Sequence, residues 1–305
     1  MDVCSCDVVL GNTGSPGCKR TYLVTKFLLL QAIVGSAGTD NFFDVSAGEP
    51  TLSTITAALD NVEPTDRLFP LGEFEDITDE RAEAIVQEFG SGQKARVRDG
   101  ARDFSGFIPN AEPILVGKVK KSVCSQLGAF MLDAGGNLIF SARKSEGLVT
   151  NAYPVRIDTN TLDVRYVKAT DTTIAGVMIN FQWATSEQDS YLRQVKQTDL
   201  DWGATDLYGL VDAYSVNSAI TTTGFTVTIT DEYGDPVVGL VSGDMTLAEL
   251  SPTPGSVAIT TVTESANGVY DIVHALATSG DVLELTITKS GYDFANVKAN
   301  TITIP

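Results

Sequence analysis

Short runs in which apolar and polar residues alternate, each closed by turn residues, constrain the fold of this chain more than any other feature. Residues 225–229 read FTVTI, and similar short runs recur along most of the chain after residue 100. Alternation with a period of two puts the apolar side chains on one face of a β-strand. Residues 134–137, AGGN, separate two such runs and are typical of a hairpin turn. The pattern predicts a mainly β chain built as a sandwich or a barrel.

A change of amino-acid composition near residue 213 divides the chain into two predicted domains. With 305 residues the chain is long enough for two. From residue 213 onward Thr, Val and Ile dominate, and only Lys289 and Lys298 are basic, against ten Asp and Glu. Residues 1–212, which begin with a turn-rich arm, are predicted to form a β-barrel or sandwich with one or two short helices. Residues 213–305 are predicted to form a β-sandwich of about seven strands.

Helical spacing occurs at three places. A short helix is predicted after Thr51, ending near residue 60, because Leu52, Ile55 and Leu59 fall on one face. Residues 187–195 are a further candidate. Residues 76–90 are predicted to be helical from a capping residue at the start, a glycine at the end and four apolar residues at i, i+3, i+4 and i+7: Ala82, Ile85, Val86 and Phe89.

Residues 83–98 also allow a second interpretation. The GSG at 90–92 is typical of a hairpin turn, and in KARVR at 94–98 basic and apolar residues alternate as they do on a β-strand. A β-hairpin with residues 83–89 as one arm therefore remains open beside the helix. Residues 114–123 are interpreted as a strand, one of a series that continues to residue 183.

The sequence carries no pattern of catalysis, cofactor binding or metal binding that rises above chance. The single histidine, His274, lies in an apolar strand, where sheet packing is the favoured interpretation. Cys4 and Cys6 are separated by one residue and not by the two that are usual in a zinc site, and neither Cys18 nor Cys124 completes such a pair. Acidic pairs such as 73/75 and 79/80 are expected by chance among 39 Asp and Glu. We therefore expect a protein that is not an enzyme and needs no cofactor.

The net charge of −18 disfavours nucleic acid and anionic membranes as binding partners. The apolar run at 27–34 is too short to span a bilayer, so no membrane insertion is expected. Lys94, Arg96, Arg98 and Arg102 form a basic cluster in this acidic background. One interpretation is a subunit contact, in which this basic stripe binds an acidic surface of a neighbouring subunit. An equally open interpretation is that the cluster forms the charged outer face of a hairpin.

The last third of the chain resembles bacterial immunoglobulin-like domains of the invasin type. The resemblance rests on DEYGDPVVG at 231–239, NGVY at 267–270 and LELTI at 283–287. It implies an immunoglobulin-like sandwich and says little about function.

The first domain is similar to phage tail-region proteins over residues 67–82, 87–89 and 98–104. A tail tube protein is implied: a β-barrel-like subunit that self-associates into hexameric rings, stacks into a tube, contacts other tail proteins and passes DNA through its lumen without specific binding. The protein would assemble in the host cytoplasm and reside in the virion tail, with the immunoglobulin-like domain facing outward. Three alternatives stay open: a capsid or decoration protein, a bacterial surface or adhesion protein that would need export, and a glycan hydrolase.

Overall fold

A computed structural model describes residues 22–143, 148–294 and 301–305. The cysteines at positions 4, 6 and 18 lie outside these ranges. Strands dominate, which confirms the mainly β fold class, and two α-helices accompany them. Within the described ranges, neither helix is long and apolar enough to cross a bilayer.

The first domain contains thirteen described strands. They are β1 (Thr25–Ala32), β2 (Phe43–Asp44), β3 (Phe69–Gly72), β4 (Glu75–Arg81), β5 (Ile85–Glu88), β6 (Lys94–Arg98), β7 (Arg102–Pro109), β8 (Leu127–Asp133), β9 (Leu138–Ser141), β10 (Asn151–Ala152), β11 (Val155–Val167), β12 (Gly176–Trp183) and β13 (Leu192–Val195). The helices are α1 (Leu52–Leu59) and α2 (Pro113–Lys120), and 3₁₀ turns lie at Lys121–Cys124, Asp189–Tyr191, Gln197–Asp199 and Ala204–Asp206.

Nine of these strands form one open sheet. Its path runs β13-β9-β8-β11-β12-β7-β4, with β1 beside β8 and β3 beside β1. In the part of the chain that the structure describes, the path ends at β13 and β4 and does not close into a barrel. All described contacts between neighbouring strands in it are antiparallel.

Strand β1 is buried on both faces, which explains its continuous apolar run. Leu28 and Leu30 face the core that also takes Val119 of α2, whereas Leu29 faces a second core against Ile55 of α1. A strand covered on both faces loses alternation. The predicted α1 is confirmed, and the Thr51 hydroxyl accepts a hydrogen bond from the backbone N–H of Thr54 at 3.4 Å.

Three sequence predictions were wrong. The segment at 76–90 is not helical but forms β4 and β5, because its apolar stripe has no core to pack against and the glycine turn favours a hairpin. Residues 187–195 form a 3₁₀ turn and β13, which pairs with β9. Residues 114–123, interpreted as a strand, form α2 and a 3₁₀ turn, because Pro113 suits the first helical turn and Leu115, Val116 and Val119 share one buried face.

The second domain is a two-sheet sandwich, as predicted. One sheet has the order β18-β19-β15-β14-β21 and the other β17-β16-β20-β22, and both contribute to a single core. The strands are β14 (Val211–Thr221), β15 (Gly224–Asp231), β16 (Met245–Ser251), β17 (Gly255–Val257), β18 (Ile259–Ala266), β19 (Val269–His274), β20 (Val282–Ile287), β21 (Tyr292–Asp293) and β22 (Thr301–Thr303), with a 3₁₀ turn at Ser242–Asp244. Residues 295–300, which precede β22, lie outside the described residues.

Two ion-pair clusters join the domains. Arg67 of the first domain pairs with Asp293 of the second, and both side chains are buried. Lys118, on α2, lies 2.6 Å from Glu232 and 3.4 Å from Asp212. Burial would lower the pKa of Lys118, but the hydrogen bond to Glu232 and the two carboxylate charges outweigh it and raise that pKa. The domains are therefore held at two points.

Candidate subunit interface

The hairpin of residues 82–101 projects from the first domain. Ala82 donates its backbone N–H to the Ala101 carbonyl at 2.8 Å, so the hairpin continues the β4–β7 pair outward. Beyond that point β5 and β6 pair with each other and, among the described strands, with no other. All nine residues of β5 and β6 are exposed. A two-stranded hairpin without a core is marginal by itself.

One face of the hairpin is cationic. Lys94 and Arg96 share a face of β6, whereas a register shift in the pairing with β5 interrupts the alternation before Arg98. Glu88 lies opposite Lys94, with 3.6 Å between the carboxylate oxygen and the ammonium nitrogen, and Arg96 pairs with Asp99. Both ion pairs are more than half exposed, so they add little to stability and leave the cations available.

The hairpin also exposes apolar side chains. Ile85, Val86, Phe89 and Val97 are between 45% and 58% exposed. The first three belong to the stripe that the sequence analysis assigned to a buried helical face. Residues 82–101 hold three basic and three acidic residues, so the hairpin is neutral in a chain of net charge −18. Exposed apolar residues in a region without net negative charge are typical of a binding surface.

Arg102 does not belong to this surface, contrary to the grouping of the four basic residues. It lies on β7 with its side chain only 14% exposed, and it donates two hydrogen bonds to Asp79, at 2.6 and 2.7 Å. Its guanidinium also stacks over the Trp183 ring, whose Nε1 donates to the same carboxylate. The sequence cluster therefore separates into three surface cations and one structural arginine.

A second ion pair lies at the base of the hairpin. Arg81, the last residue of β4, donates two hydrogen bonds to Asp189, at 2.8 and 2.9 Å. These bonds lower the pKa of the Asp189 carboxyl and raise that of the Arg81 guanidinium. The pair bridges the two ends of the open sheet, β4 and the turn before β13, beside an open cleft of about 560 Å³ that also contacts Tyr22 and Met131.

The other chemical candidates are structural. His274 is buried at the end of β19, with Nδ1 2.7 Å from the Ala275 carbonyl oxygen and the ring 5.9 Å from that of Phe225. Of the acidic pairs, Glu75 binds Lys26 and Asp79 binds Arg102. Among the described residues, no three His, Cys, Asp or Glu side chains lie close enough to hold a metal ion.

Two features were not predicted from the sequence: the exposed apolar side chains of the hairpin and the ion pairs between the domains. The glycine turn at 90–92 and the alternation at 94–98 were the signals for an exposed hairpin. Lys118 gave no sign in the sequence of its contact with Glu232, which lies 114 residues further along the chain. Arg67 had no local signal, because its partner Asp293 is 226 residues away.

Comparisons with known proteins add little to this geometry. No family model matches the chain, and no curated protein matches it either. Among solved structures, the chain is similar to the crystal structure of the Lin-41 filamin domain, with 19% sequence identity and a TM-score of 0.23. That match covers 30% of this chain and 91% of the filamin domain.

Proposed function

We propose that this chain is a structural subunit of a virion, of the phage tail tube kind, which self-associates through the hairpin 82–101. The observation that carries the proposal is the hairpin itself: two fully exposed strands, four exposed apolar side chains and neutral charge on an acidic molecule. A surface of this kind is unfavourable in water unless it is covered by a partner.

A neighbouring copy supplies suitable chemistry. The cationic face of Lys94 and Arg96 is complementary to the carboxylate-rich surface of the same protein, where Glu73, Asp76 and Glu80 are exposed. A contact between two different surfaces of identical subunits is heterologous, and heterologous contacts form a ring when the rotation between subunits closes and an open filament when it does not. Hexameric rings that stack into a tube are the arrangement that the tail tube proposal requires.

Net negative charge supports the transport part of the proposal. A wall rich in carboxylates repels DNA phosphates, so DNA passes through the lumen without being held. Other tail proteins would cap or extend the tube. The second domain, held by Arg67 and Lys118, would project outward from it in the virion.

A second candidate is another virion component, such as a capsid or decoration protein. A bacterial surface protein is a third, favoured only by the sandwich of the second domain. All three use the chain as a structural or binding component and not as an enzyme.

Electron microscopy and sedimentation velocity of the full chain test the proposal. We expect rings or stacked rings for the unchanged protein, and loss of these for Arg96→Glu. The matched control is Arg165→Glu, because Arg165 is also a strand arginine paired with a nearby Asp and is 61% exposed against 65% for Arg96. Monomers at high concentration for the unchanged chain would refute self-association, and equal behaviour of the two variants would refute the role of the hairpin.

A further inference from the structure

The large sheet of the first domain has an unpaired edge on β4. Ala82 donates its backbone N–H to the Ala101 carbonyl. This bond makes Arg81 and Arg102 a non-hydrogen-bonded pair of the antiparallel ladder. By the same alternation, the backbone N–H and C=O groups of Asp79 and Arg81 point away from β7. Among the described strands, β4 pairs only with β7. An edge of this kind can pair with a further strand.

The open cleft of about 560 Å³ lies along this part of β4. Residues 22–25, at the start of β1, form another part of its wall, and Leu192 of β13 contributes as well. The buried Met131 and Ile139 also line it, together with the partly buried Ile77. The cleft thus combines an unpaired strand edge with an apolar interior. An added strand uses both, because its backbone pairs with the edge while one face of its side chains is buried.

The described part of the chain begins in the wall of this cleft. Tyr22, Leu23 and Val24 are 49%, 47% and 55% exposed. The Tyr22 hydroxyl donates to the Leu192 carbonyl at 3.5 Å, and the Leu23 backbone N–H donates to the Asp133 carboxylate at 3.4 Å. The 21 residues before Tyr22 are therefore covalently joined to a fixed point of the cleft wall. Their effective concentration at the cleft exceeds that of a segment from another molecule.

The sequence before Tyr22 contains a segment with the properties of such a strand. Residues 7–10 read DVVL, and Val8 and Leu10 would share one face in an extended conformation. Residues 11–17 read GNTGSPG, a composition that allows the chain to reverse its direction. A connection of this length can span up to about 40 Å. Residues 7–10 can therefore reach back to the cleft in which Tyr22 lies.

We infer that the cleft binds residues 7–10 of the same chain as an added strand on the edge of β4. In this arrangement Val8 and Leu10 contact the apolar interior at Met131 and Ile139, and the backbone of the segment pairs with the unpaired groups of β4. The bound segment covers the open edge, so that strands of other molecules cannot pair with it. This role is independent of the hairpin 82–101.

Backbone hydrogen exchange in the full chain tests this inference. Val8→Asp places a carboxylate in the apolar interior, so the amides of Asp79 and Arg81 should exchange about tenfold faster or more than in the unchanged chain. Val9→Asp is the matched control, because the neighbouring side chain points to solvent and the net charge changes equally. We expect exchange at both amides to stay slow in that variant. Fast exchange in the unchanged chain, or equal effects of the two substitutions, would overturn the inference.

Two further measurements distinguish this segment from other occupants of the cleft. Slow exchange at Asp79 and Arg81 should be independent of protein concentration and should persist in Arg96→Glu, because the segment belongs to the same chain. Protection that appears only at high concentration would show that a second copy fills the cleft, and the inference would be wrong. Protection that is lost in Arg96→Glu would assign the cleft to the hairpin of a neighbour. If Arg96→Glu assembles like the unchanged chain and keeps its protection, the hairpin proposal fails and this inference stands.

Discussion

Arg67 and Asp293 form a buried ion pair across the two domains, with 2.5 Å between Nη1 and Oδ2 and each side chain 7% exposed. The guanidinium is also held by the backbone carbonyls of Asn61 and Val62, at 2.6 and 3.1 Å. These bonds fix the orientation of the guanidinium from the side of the first domain. Arg67, whose hydrogen-bonding groups face both domains, is therefore one of the two side chains that hold the junction, beside Lys118.

Substitution of Arg67 by alanine should weaken the junction strongly. Removing one partner of a buried ion pair leaves a desolvated charge and costs about 3–5 kcal/mol. Denaturant unfolding should show that loss, with the two domains unfolding in separate transitions. Arg165→Ala is the control, because its pair with Asp163 is exposed and worth about 0–1 kcal/mol. A loss for Arg67→Ala as small as that of the control would contradict this account.

Arg102 and Arg96 should behave oppositely on substitution by alanine. Arg102→Ala deprives the half-buried Asp79 of two charge-assisted hydrogen bonds, and we expect a loss of about 2–3 kcal/mol in the free energy of unfolding. Arg96→Ala changes an exposed pair and should cost less than about 0.5 kcal/mol, while it impairs self-association. Urea unfolding and sedimentation velocity on both variants measure the two effects. Similar losses of stability would contradict the distinction between Arg102 as a structural arginine and Arg96 as a surface cation.

The contrast between these arginines shows what the sequence could and could not predict. Alternation along β15 predicted the sandwich, because one face of each strand is buried and the other is solvated. Strand β1 shows no such alternation, because it is buried on both faces. Spacing alone could not decide between a helix and a hairpin at 82–89, since Ile85 and Val86 fit either pattern until the exposed surroundings are known.

The candidate site was predictable only in part. Lys94, Arg96 and Arg98 were identified from their charge, and the structure places all three on one exposed strand. The separation of Arg102 depends on Asp79, 23 residues earlier in the chain, and on the Trp183 ring. Such long-range pairings leave no local pattern in the sequence.

Two glycines of the second domain offer a matched test of backbone geometry. Gly234 and Gly268 both have positive φ, +88° and +70°. A Cβ at Gly234 would meet open space, but at Gly268 it would lie 2.7 Å from the Ile229 carbonyl oxygen. Gly234→Ala should cost about 1 kcal/mol from the left-handed conformation alone, and Gly268→Ala clearly more, because β15 would have to shift. Thermal unfolding distinguishes them, and equal shifts would refute the close approach.

The Arg81–Asp189 pair should give the first domain a stability that depends on pH. A carboxyl whose pKa is lowered by folding stabilises the fold above its unfolded pKa, and this contribution disappears as the pH falls through the folded pKa. Asp189→Asn should therefore be less stable than the unchanged chain at pH 7, and the difference should shrink below about pH 4. Acid titration of unfolding midpoints measures it.

The control for this prediction is the Arg81→Gln background, where Asp189→Asn should have a smaller effect at pH 7 because the partner is absent. If the difference in stability between the unchanged chain and Asp189→Asn stayed constant throughout the acid titration, the assignment of the pH dependence to this pair would be wrong.

The route of the chain between the domains has a mechanical consequence. The chain enters the second domain on β14, which runs parallel to β21 in the register Val211–Tyr292 and Asp212–Asp293. Arg67 holds β21 at this same edge of the sheet. A tensile force between the domains is thus shared by the peptide linkage and the ion pair on two adjacent strands.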